Sequence, residues 1–205
     1  MVTSRPRCFL AAAPAATQAL AAALAERLAP GCLLRLEGDL GVGKTTFVQG
    51  LARGLGVAGP VQSPTFTLIR QHAGSGPMGL AHMDLYRLSG AAETRDLGLD
   101  AYLDGDEVVA VEWPDRAGEA LPAVGLVVSL TVVAVDGAEA GGGGVAVGSP
   151  DGITAFAWEP PRLIRIRALD RLAGDALAGL VLSAMTGLDE ISCPPTAADK
   201  AERHP

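Results

Sequence analysis

The chain has 205 residues, 49% of them hydrophobic and 19% charged, which excludes a wholly disordered chain and allows a core that needs no disulfide or metal. Its net charge of −7 makes it a poor candidate for holding a nucleic-acid backbone alone, because that contact depends on clustered Lys and Arg; a partner would have to hold any nucleic acid. The three cysteines, Cys8, Cys32 and Cys193, are odd in number and widely spaced. Their pattern favours a reducing compartment over a disulfide framework or a CxxC metal site.

The first part of the chain predicts two helices with a strand and a turn between them. The basic, Ala-rich start superficially resembles a secretory signal, but we interpret it as part of an Ala-rich first helix. A short apolar run ending in glycine then predicts a buried strand. These elements are predicted over 17–29 (helix), 32–37 (strand), 38–43 (glycine-rich turn) and 45–55 (helix).

The remainder of the chain is predicted to be mostly strands. β-Branched and aromatic residues favour a hairpin over 65–85, and a weak helical pattern follows it. Apart from that hairpin, the predicted elements are a helix over 91–103, strands over 107–113, 126–135, 153–158 and 163–168, and a last helix over 172–188. We expect one domain over 1–188 with a glycine-rich insertion at 136–160, followed by a flexible tail over 189–205. The longest apolar run has about ten residues against the ~20 that a membrane-spanning helix needs.

A glycine-rich motif carries the main functional signal. Residues 38–45 match the pattern G-x-x-x-x-G-K-[ST] in full, between a predicted strand and a predicted helix. Glycines let successive backbone N–H groups point toward phosphate, and the helix adds the positive end of its dipole. In this motif the lysine reaches the β- and γ-phosphates, and the Thr hydroxyl binds Mg²⁺. The nucleotide-binding residues predicted here are Gly38, Asp39, Leu40, Gly41, Val42, Gly43, Lys44, Thr45 and Thr46.

The use of lysine supports the motif. The chain has fourteen arginines but only two lysines, Lys44 and Lys200, so lysine stands in the one motif position that requires it. Because ATP is found in the cytoplasm, we expect a cytoplasmic protein. The absence of asparagine excludes the N-K-x-D segment with which Ras-type GTPases bind guanine, which favours ATP.

Two predicted strands end in an acid, one in Asp84 and the other in Glu112. A carboxylate at the carboxyl end of a strand near the glycine-rich loop faces the nucleotide crevice. Either acid could bind Mg²⁺ directly or through water, or orient the attacking water. His82 shares a strand face with Asp84, but a lone strand histidine is usually structural and we interpret it so. Thr65 and Thr67 could form a switch segment that senses the γ-phosphate.

Four segments together resemble the TsaE family: GDLGVGKTT at 38–46, SPTFTL at 63–68, HMDLYRL at 82–88 and EW at 112–113. They occur in the family's order across roughly residues 10–125 of this chain. TsaE is the bacterial ATPase subunit of the machinery that makes N6-threonylcarbamoyladenosine in tRNA. The resemblance implies an α/β, P-loop NTPase-like three-layer fold with a mixed parallel and antiparallel central sheet.

The resemblance also implies roles for individual residues. Lys44 and the backbone of 39–46 hold the phosphates of ATP, Thr45 and Glu112 bind Mg²⁺, and Asp84 assists hydrolysis. Lys44, Asp84 and Glu112 are thus the implied catalytic residues. Residues Ser63 to Thr67 would form a switch-like loop, in which Thr65 contacts the nucleotide. Trp113 would help to shape the nucleotide site beside Glu112, and Phe9 or its neighbours could pack on the adenine.

By the same resemblance, the protein binds the TsaB–TsaD heterodimer, and its ATP hydrolysis supports turnover without forming the threonylcarbamoyl bond. It would contact tRNA only through these partners. Two other functions stay open: a small-molecule kinase in which Asp84 is the base toward a substrate hydroxyl, and a nucleotide-gated binding module in which hydrolysis is incidental. We expect slow hydrolysis by the isolated protein, because no arginine is clearly placed to stabilise the transition state.

Overall fold

The computed structural model describes residues 5–133, 160–180 and 187–194. The predicted strand over 153–158, nearly all of the glycine-rich insertion at 136–160 and the end of the predicted tail lie outside these residues.

Eight strands and five α-helices are formed by the described residues. The strands are β1 (Arg7–Ala11), β2 (Leu33–Glu37), β3 (Ile69–His72), β4 (Leu80–Asp84), β5 (Val108–Glu112), β6 (Leu126–Val132), β7 (Arg162–Ala168) and β8 (Leu188–Ile191). The helices are α1 (Pro14–Ala25), α2 (Lys44–Gly54), α3 (Ala91–Arg95), α4 (Leu99–Leu103) and α5 (Arg171–Ala178), and a 3₁₀ helix covers Pro114–Ala120. Within this part of the chain, no helix has both the length and the apolar character needed to cross a bilayer.

The strands form one mixed sheet in the order β3-β4-β5-β2-β6-β7-β1-β8. β4, β5, β2 and β6 are parallel, and the other four strands pair antiparallel with their neighbours. Every residue of β4 and β5 is buried, as expected for parallel strands covered on both faces. β2, which leads into the glycine-rich loop, lies at the centre between β5 and β6.

Helices cover both faces of this sheet and make three layers. Side chains of β2 and β5 alternate between two apolar clusters, with Leu34 and Ala110 in one and Leu33 and Val109 in the other. The first cluster includes residues of α1, α2 and α5, and the second includes residues of α4 and the 3₁₀ helix. The expected three-layer α/β fold with a mixed sheet is confirmed.

Small residues hold α2 against α1. A Cβ atom at Gly50 would lie 2.4 Å from the carbonyl oxygen of Gln18, and one at Gly54 would lie 2.4 Å from that of Ala22. No real side chain fits at such distances, so the two helix backbones are in close contact only because glycine occupies both positions. This contact fixes α2 and, with it, the loop that precedes the helix.

The N-terminal segment differs from its prediction. The sequence pattern does not predict β1, and α1 covers 14–25 where the pattern predicts 17–29. β1 forms because β7 and β8 pair with it on either side, and both lie more than 150 residues further along the chain. The helix begins at Pro14, where the missing N–H is no loss because a first-turn amide has no partner within the helix.

The C-terminal prediction is wrong in part. The helix predicted over 172–188 ends at Ala178, and the residues at the start of the expected flexible tail belong to β8. Arg7 of β1 connects β8 to the end of α5. Its guanidinium binds the carboxylate of Glu190 at 2.6 Å and donates to the carbonyl oxygens of Leu177 and Leu180. The tail beyond 194 and residues 181–186 lie outside the described residues.

The expectation from the cysteine pattern is wrong, since Cys8 and Cys193 form a disulfide. The two residues are 185 positions apart, and no local pattern connects them. The pairing of β1 with β8 places Cys8 opposite Ile191, two residues before Cys193. Cys32 is a free thiol, and burial raises its pKa to about 12.

Replacing Cys193 with Ser is expected to lower the free energy of unfolding by about 5 kcal/mol, because the bridge closes a very long loop in the unfolded chain. Urea denaturation of the oxidised protein measures this change. Dithiothreitol should lower the stability of the wild-type protein by a similar amount and leave the Cys193→Ser variant unaffected. A wild-type protein whose stability does not respond to dithiothreitol would contradict the prediction.

Candidate functional site

The glycine-rich loop lies at the carboxyl edge of the parallel strands, between β2 and α2. Gly38 has φ of +130°, and a Cβ atom there would lie 2.4 Å from the carbonyl oxygen of Leu130. Gly43, directly before α2, has φ of +111°. Both values lie in a region that favours glycine, so these two residues let the chain turn sharply from the strand into the helix.

A cavity of about 330 Å³ opens beside this loop. It brings together the loop, the first turn of α2, the segment before β3, and the ends of β4 and β5. Its lining residues are Leu40, Gly41, Gly43, Lys44, Thr45, Thr46, Ser63, Thr65, Asp84, Tyr86, Glu112 and Trp113. The first-turn N–H groups of α2 have no partner within the helix, and no side chain among the described residues caps them.

Lys44 is the cation of this cavity and is only 4% exposed. Its Nζ donates to the carbonyl oxygens of Gly38 and Asp39, at 2.6 and 2.8 Å, and lies 3.8 Å from the ring centre of Trp113. Burial lowers the pKa of Lys44 from its ordinary value, and the carboxylates of Glu112, Asp84 and Asp39 oppose that shift.

The two predicted acids lie side by side at the ends of adjacent parallel strands. Asp84 on β4 is paired with Glu112 on β5, and they are 3% and 4% exposed. Glu112 Oε1 accepts hydrogen bonds from Thr45 Oγ1 at 2.8 Å and from His82 Nε2 at 2.9 Å. β5 is also paired with β2, so Glu112 lies on the strand next to the loop and Asp84 lies one strand further away.

Asp84 is bound by the segment that precedes β3. Its Oδ2 accepts hydrogen bonds from Ser63 Oγ and Thr65 Oγ1, both at 2.6 Å, and its Oδ1 accepts one from the backbone N–H of Tyr86 at 3.0 Å. Ser63 and Thr65 are also within hydrogen-bond distance of each other. The segment predicted to be a switch is therefore connected directly to the acid at the end of β4.

Trp113 follows Glu112 with φ of +59° and ψ of +50°, a left-handed conformation that is uncommon for a bulky residue. Its ring packs against that of Tyr86, with 5.0 Å between ring centres. Backbone strain of this kind persists where the surroundings enforce it, and it is concentrated at functional sites. Here the conformation places an indole over the ammonium of Lys44.

Most of the predicted site residues meet in the one cavity. Gly38 and Asp39 do not line it but bind Lys44 through their carbonyl oxygens. Val42 is buried in the core and borders a second, smaller cavity of about 120 Å³ on the same loop. Phe9, expected near the adenine, is instead completely buried in the core, because β1 is an interior strand of the sheet.

Two residues beside the acids are not candidate functional residues in the sequence analysis. The pattern indicates a structural role for His82, and the structure places its ring in contact with Glu112. Its position two residues before Asp84 on a strand was the available signal, since alternate strand residues share a face. Tyr86 follows the strand and has no comparable pattern.

A glycine-rich loop that joins a central parallel strand to a helix, with a lysine at the helix start and acids at neighbouring strand ends, defines a P-loop protein of the α/β class. The family described as "Threonylcarbamoyl adenosine biosynthesis protein TsaE" matches residues 11–138, more than half of the chain. The chain belongs to the TsaE family.

Curated relatives agree with this assignment. A protein named "tRNA threonylcarbamoyladenosine biosynthesis protein TsaE" from Bacillus subtilis is 49% identical over 109 residues, which cover 53% of this chain and 67% of the relative. Proteins of the same name from Streptomyces coelicolor and Synechocystis are 50% and 46% identical, over 67% and 60% of their lengths. These matches therefore span about two thirds of the relatives.

The fold has a solved counterpart over most of its length. The crystal structure of Bacillus subtilis YdiB superposes with a TM-score of 0.66 and 30% sequence identity, covering 88% of this chain and 96% of YdiB. This coverage is a larger share of the chain than residues 11–138, which the family matches.

Proposed function

We propose that the protein is a Mg²⁺-dependent ATPase that acts with a TsaB–TsaD heterodimer in the N6-threonylcarbamoyladenosine modification of tRNA. One observation carries the proposal: the loop, Lys44, Thr45, Asp84 and Glu112 line the same cavity. Membership of the TsaE family supports the tRNA modification, and the relatives bear that activity in their names. A cytoplasmic location belongs to the same proposal and rests on the need for ATP, since the Cys8–Cys193 disulfide removes the support that the cysteine pattern gave it.

The donors of the cavity fit a polyphosphate. The first turn of α2 offers N–H groups that no described side chain caps, and the buried ammonium of Lys44 lies next to them. Backbone N–H groups at a helix N-terminus together with a lysine are the usual partners of the phosphates in this loop. Lys44 would exchange the carbonyl oxygens of Gly38 and Asp39 for phosphate oxygens. ATP is favoured over GTP, because the chain lacks asparagine and with it the guanine-binding segment.

The acceptors of the cavity fit Mg²⁺. Thr45 Oγ1 and Glu112 Oε1 lie 2.8 Å apart, and both are hard oxygen ligands. No group of three or more His, Cys, Asp or Glu side chains that could hold a metal occurs among the described residues. That is consistent with Mg²⁺, which is usually bound by one or two carboxylates together with substrate phosphates and water. Thr45 and Glu112 would hold the ion, which supplies neutralisation of the charge that develops on the phosphates.

Asp84 would orient the attacking water. Its carboxylate is buried and is held by three hydrogen bonds, which fixes its direction. Two of these bonds come from Ser63 and Thr65, so the same residues connect the acid to the exposed segment that carries Phe66, which is 82% exposed. A change at the γ-phosphate would reach the protein surface through this segment, where a partner could detect it.

Phosphate release measures the proposed activity. We expect slow, Mg²⁺-dependent hydrolysis of ATP by the isolated protein and a rate at least about ten times higher with TsaB and TsaD, because partner groups can complete a cavity whose described lining residues include no arginine. Co-purification with TsaB and TsaD, with and without ATP, measures the assembly. Rapid hydrolysis that the partners leave unchanged would contradict the proposal.

Two further measurements, of phosphorylated product and of tRNA modification, separate the two other functions. A small-molecule kinase would yield a phosphorylated product in place of free phosphate. If the protein is a nucleotide-gated binding module, its Glu112→Gln variant should support full tRNA modification, provided that this variant still binds ATP and the partners. Either result would replace the ATPase proposal.

A further inference from the structure

A completely buried histidine contacts the carboxylate of the proposed magnesium site. His82 lies on β4 with 0% of its surface exposed, and its Nε2 is 2.9 Å from Glu112 Oε1. The same oxygen accepts the hydrogen bond from Thr45 Oγ1. Glu112 is therefore held through one oxygen by two side chains from two different elements, and neither of these bonds uses Oε2.

The hydrogen-bond pattern determines where the imidazole carries its proton. An ionised carboxylate can only accept hydrogen bonds, so Nε2 must carry the proton that it donates to Glu112. The other ring nitrogen, Nδ1, is buried and has no hydrogen-bond partner among the described residues. Within the described part of the chain, the ring thus makes a single hydrogen bond, and that bond goes to Glu112.

A histidine is a costly side chain for this position if packing is its only role. A buried nitrogen without a partner is unfavourable, and the other residues of this strand that precede Asp84, namely Leu80, Ala81 and Met83, are apolar. The pairing of β4 with β5 also explains why the imidazole of His82 reaches Glu112 from the interior of the sheet. Asp84 is opposite Glu112, and His82 shares the face of Asp84, so the imidazole lies one step further back from the strand ends than the two acids.

We propose that His82 is a positioning residue, which sets the orientation of Glu112 for the divalent cation. The inference rests on the proposed function, since it needs a cation at Thr45 and Glu112. Groups that hydrogen-bond to metal-ligating side chains fix their orientation, and their loss typically weakens metal binding about ten- to a hundredfold.

Two substitutions test the position of the donor nitrogen. The amide nitrogen of glutamine can occupy the place of Nε2, whereas that of asparagine reaches only the place of Nδ1. We expect His82→Gln to retain the affinity for Mn²⁺ in the presence of ADP within about threefold, and His82→Asn to lower it roughly tenfold or more. Electron paramagnetic resonance of free Mn²⁺ measures the affinity, and His72→Asn on the adjacent strand is the matched control, with no change expected.

A structural role alone would affect both His82 variants alike, so equal Mn²⁺ affinities in the two would overturn the proposal. A ¹⁵N NMR spectrum of the wild-type protein tests it without any substitution. We expect His82 to carry its proton on Nε2 both before and after Mg²⁺ and ADP are added, and a proton on Nδ1 would overturn the proposal. If the wild-type protein does not bind Mn²⁺ with ADP at all, the proposed magnesium site itself fails, which is a different result.

Discussion

Replacing Lys44 with Ala is expected to raise the dissociation constant for ATP at least about a hundredfold. The substitution removes the buried ammonium of the cavity and with it the two charge-assisted contacts that Lys44 would make to phosphate oxygens in the proposed function. Hydrogen bonds to charged groups contribute about 1.5–3 kcal/mol each, and about 2.7 kcal/mol corresponds to a hundredfold change in affinity. Isothermal titration calorimetry with ATP and Mg²⁺ measures the effect.

The chain offers a natural control for this substitution. Lys200 is the only other lysine, so Lys200→Ala changes the net charge of the protein equally and should leave the affinity unchanged. Lys44→Arg keeps the charge but introduces a larger planar group, which should recover only part of the affinity. Micromolar binding of ATP by the Lys44→Ala variant would contradict the proposal that the glycine-rich loop binds the nucleotide.

Replacing Asp84 with Asn is expected to lower kcat for ATP hydrolysis by roughly 10²- to 10³-fold, while the dissociation constant for ATP changes by less than about threefold. Asparagine has nearly the same shape and retains an oxygen that can accept from Ser63 and Thr65. It lacks the negative charge and cannot accept a proton from water, and such a group contributes about 10²- to 10⁴-fold to a rate. Single-turnover phosphate release with saturating ATP measures the chemical step.

Asp100→Asn provides the comparison, because Asp100 is exposed on α4 and does not line the cavity. It should hydrolyse ATP at the wild-type rate. An Asp84→Asn variant that hydrolyses ATP within twofold of the wild-type rate would contradict the role assigned to Asp84 and would leave Glu112 as the acid that orients the water.

The hydrogen bonds around the two acids divide the cavity into two parts. Glu112 is connected inward, to Thr45 at the start of α2 and to His82 in the sheet. Asp84 is connected outward, to Ser63 and Thr65 in the segment that carries the exposed Phe66. This division supports a rigid cation site beside an acid whose surroundings can respond to the state of the nucleotide.

The sequence by itself determined the core of the site, because the physical requirements are local there. A glycine-rich turn between an apolar strand and a helix, with Lys44 at the helix start, can be identified from adjacent residues alone. The strand ends at Asp84 and Glu112 could be identified for the same reason, since each acid directly follows a short apolar run. The order of the four motifs was sufficient to predict the family and the three-layer fold.

Only the tertiary structure decided the parts that depend on distant residues. Strand β1, the edge strand β8 and the Cys8–Cys193 disulfide result from pairing between the two ends of the chain, and no local pattern reports that pairing. The contact between His82 and Glu112 likewise requires the register of two parallel strands that are joined by more than twenty residues. Backbone pattern and side-chain type act over a few residues, whereas strand register is set by packing of the whole sheet.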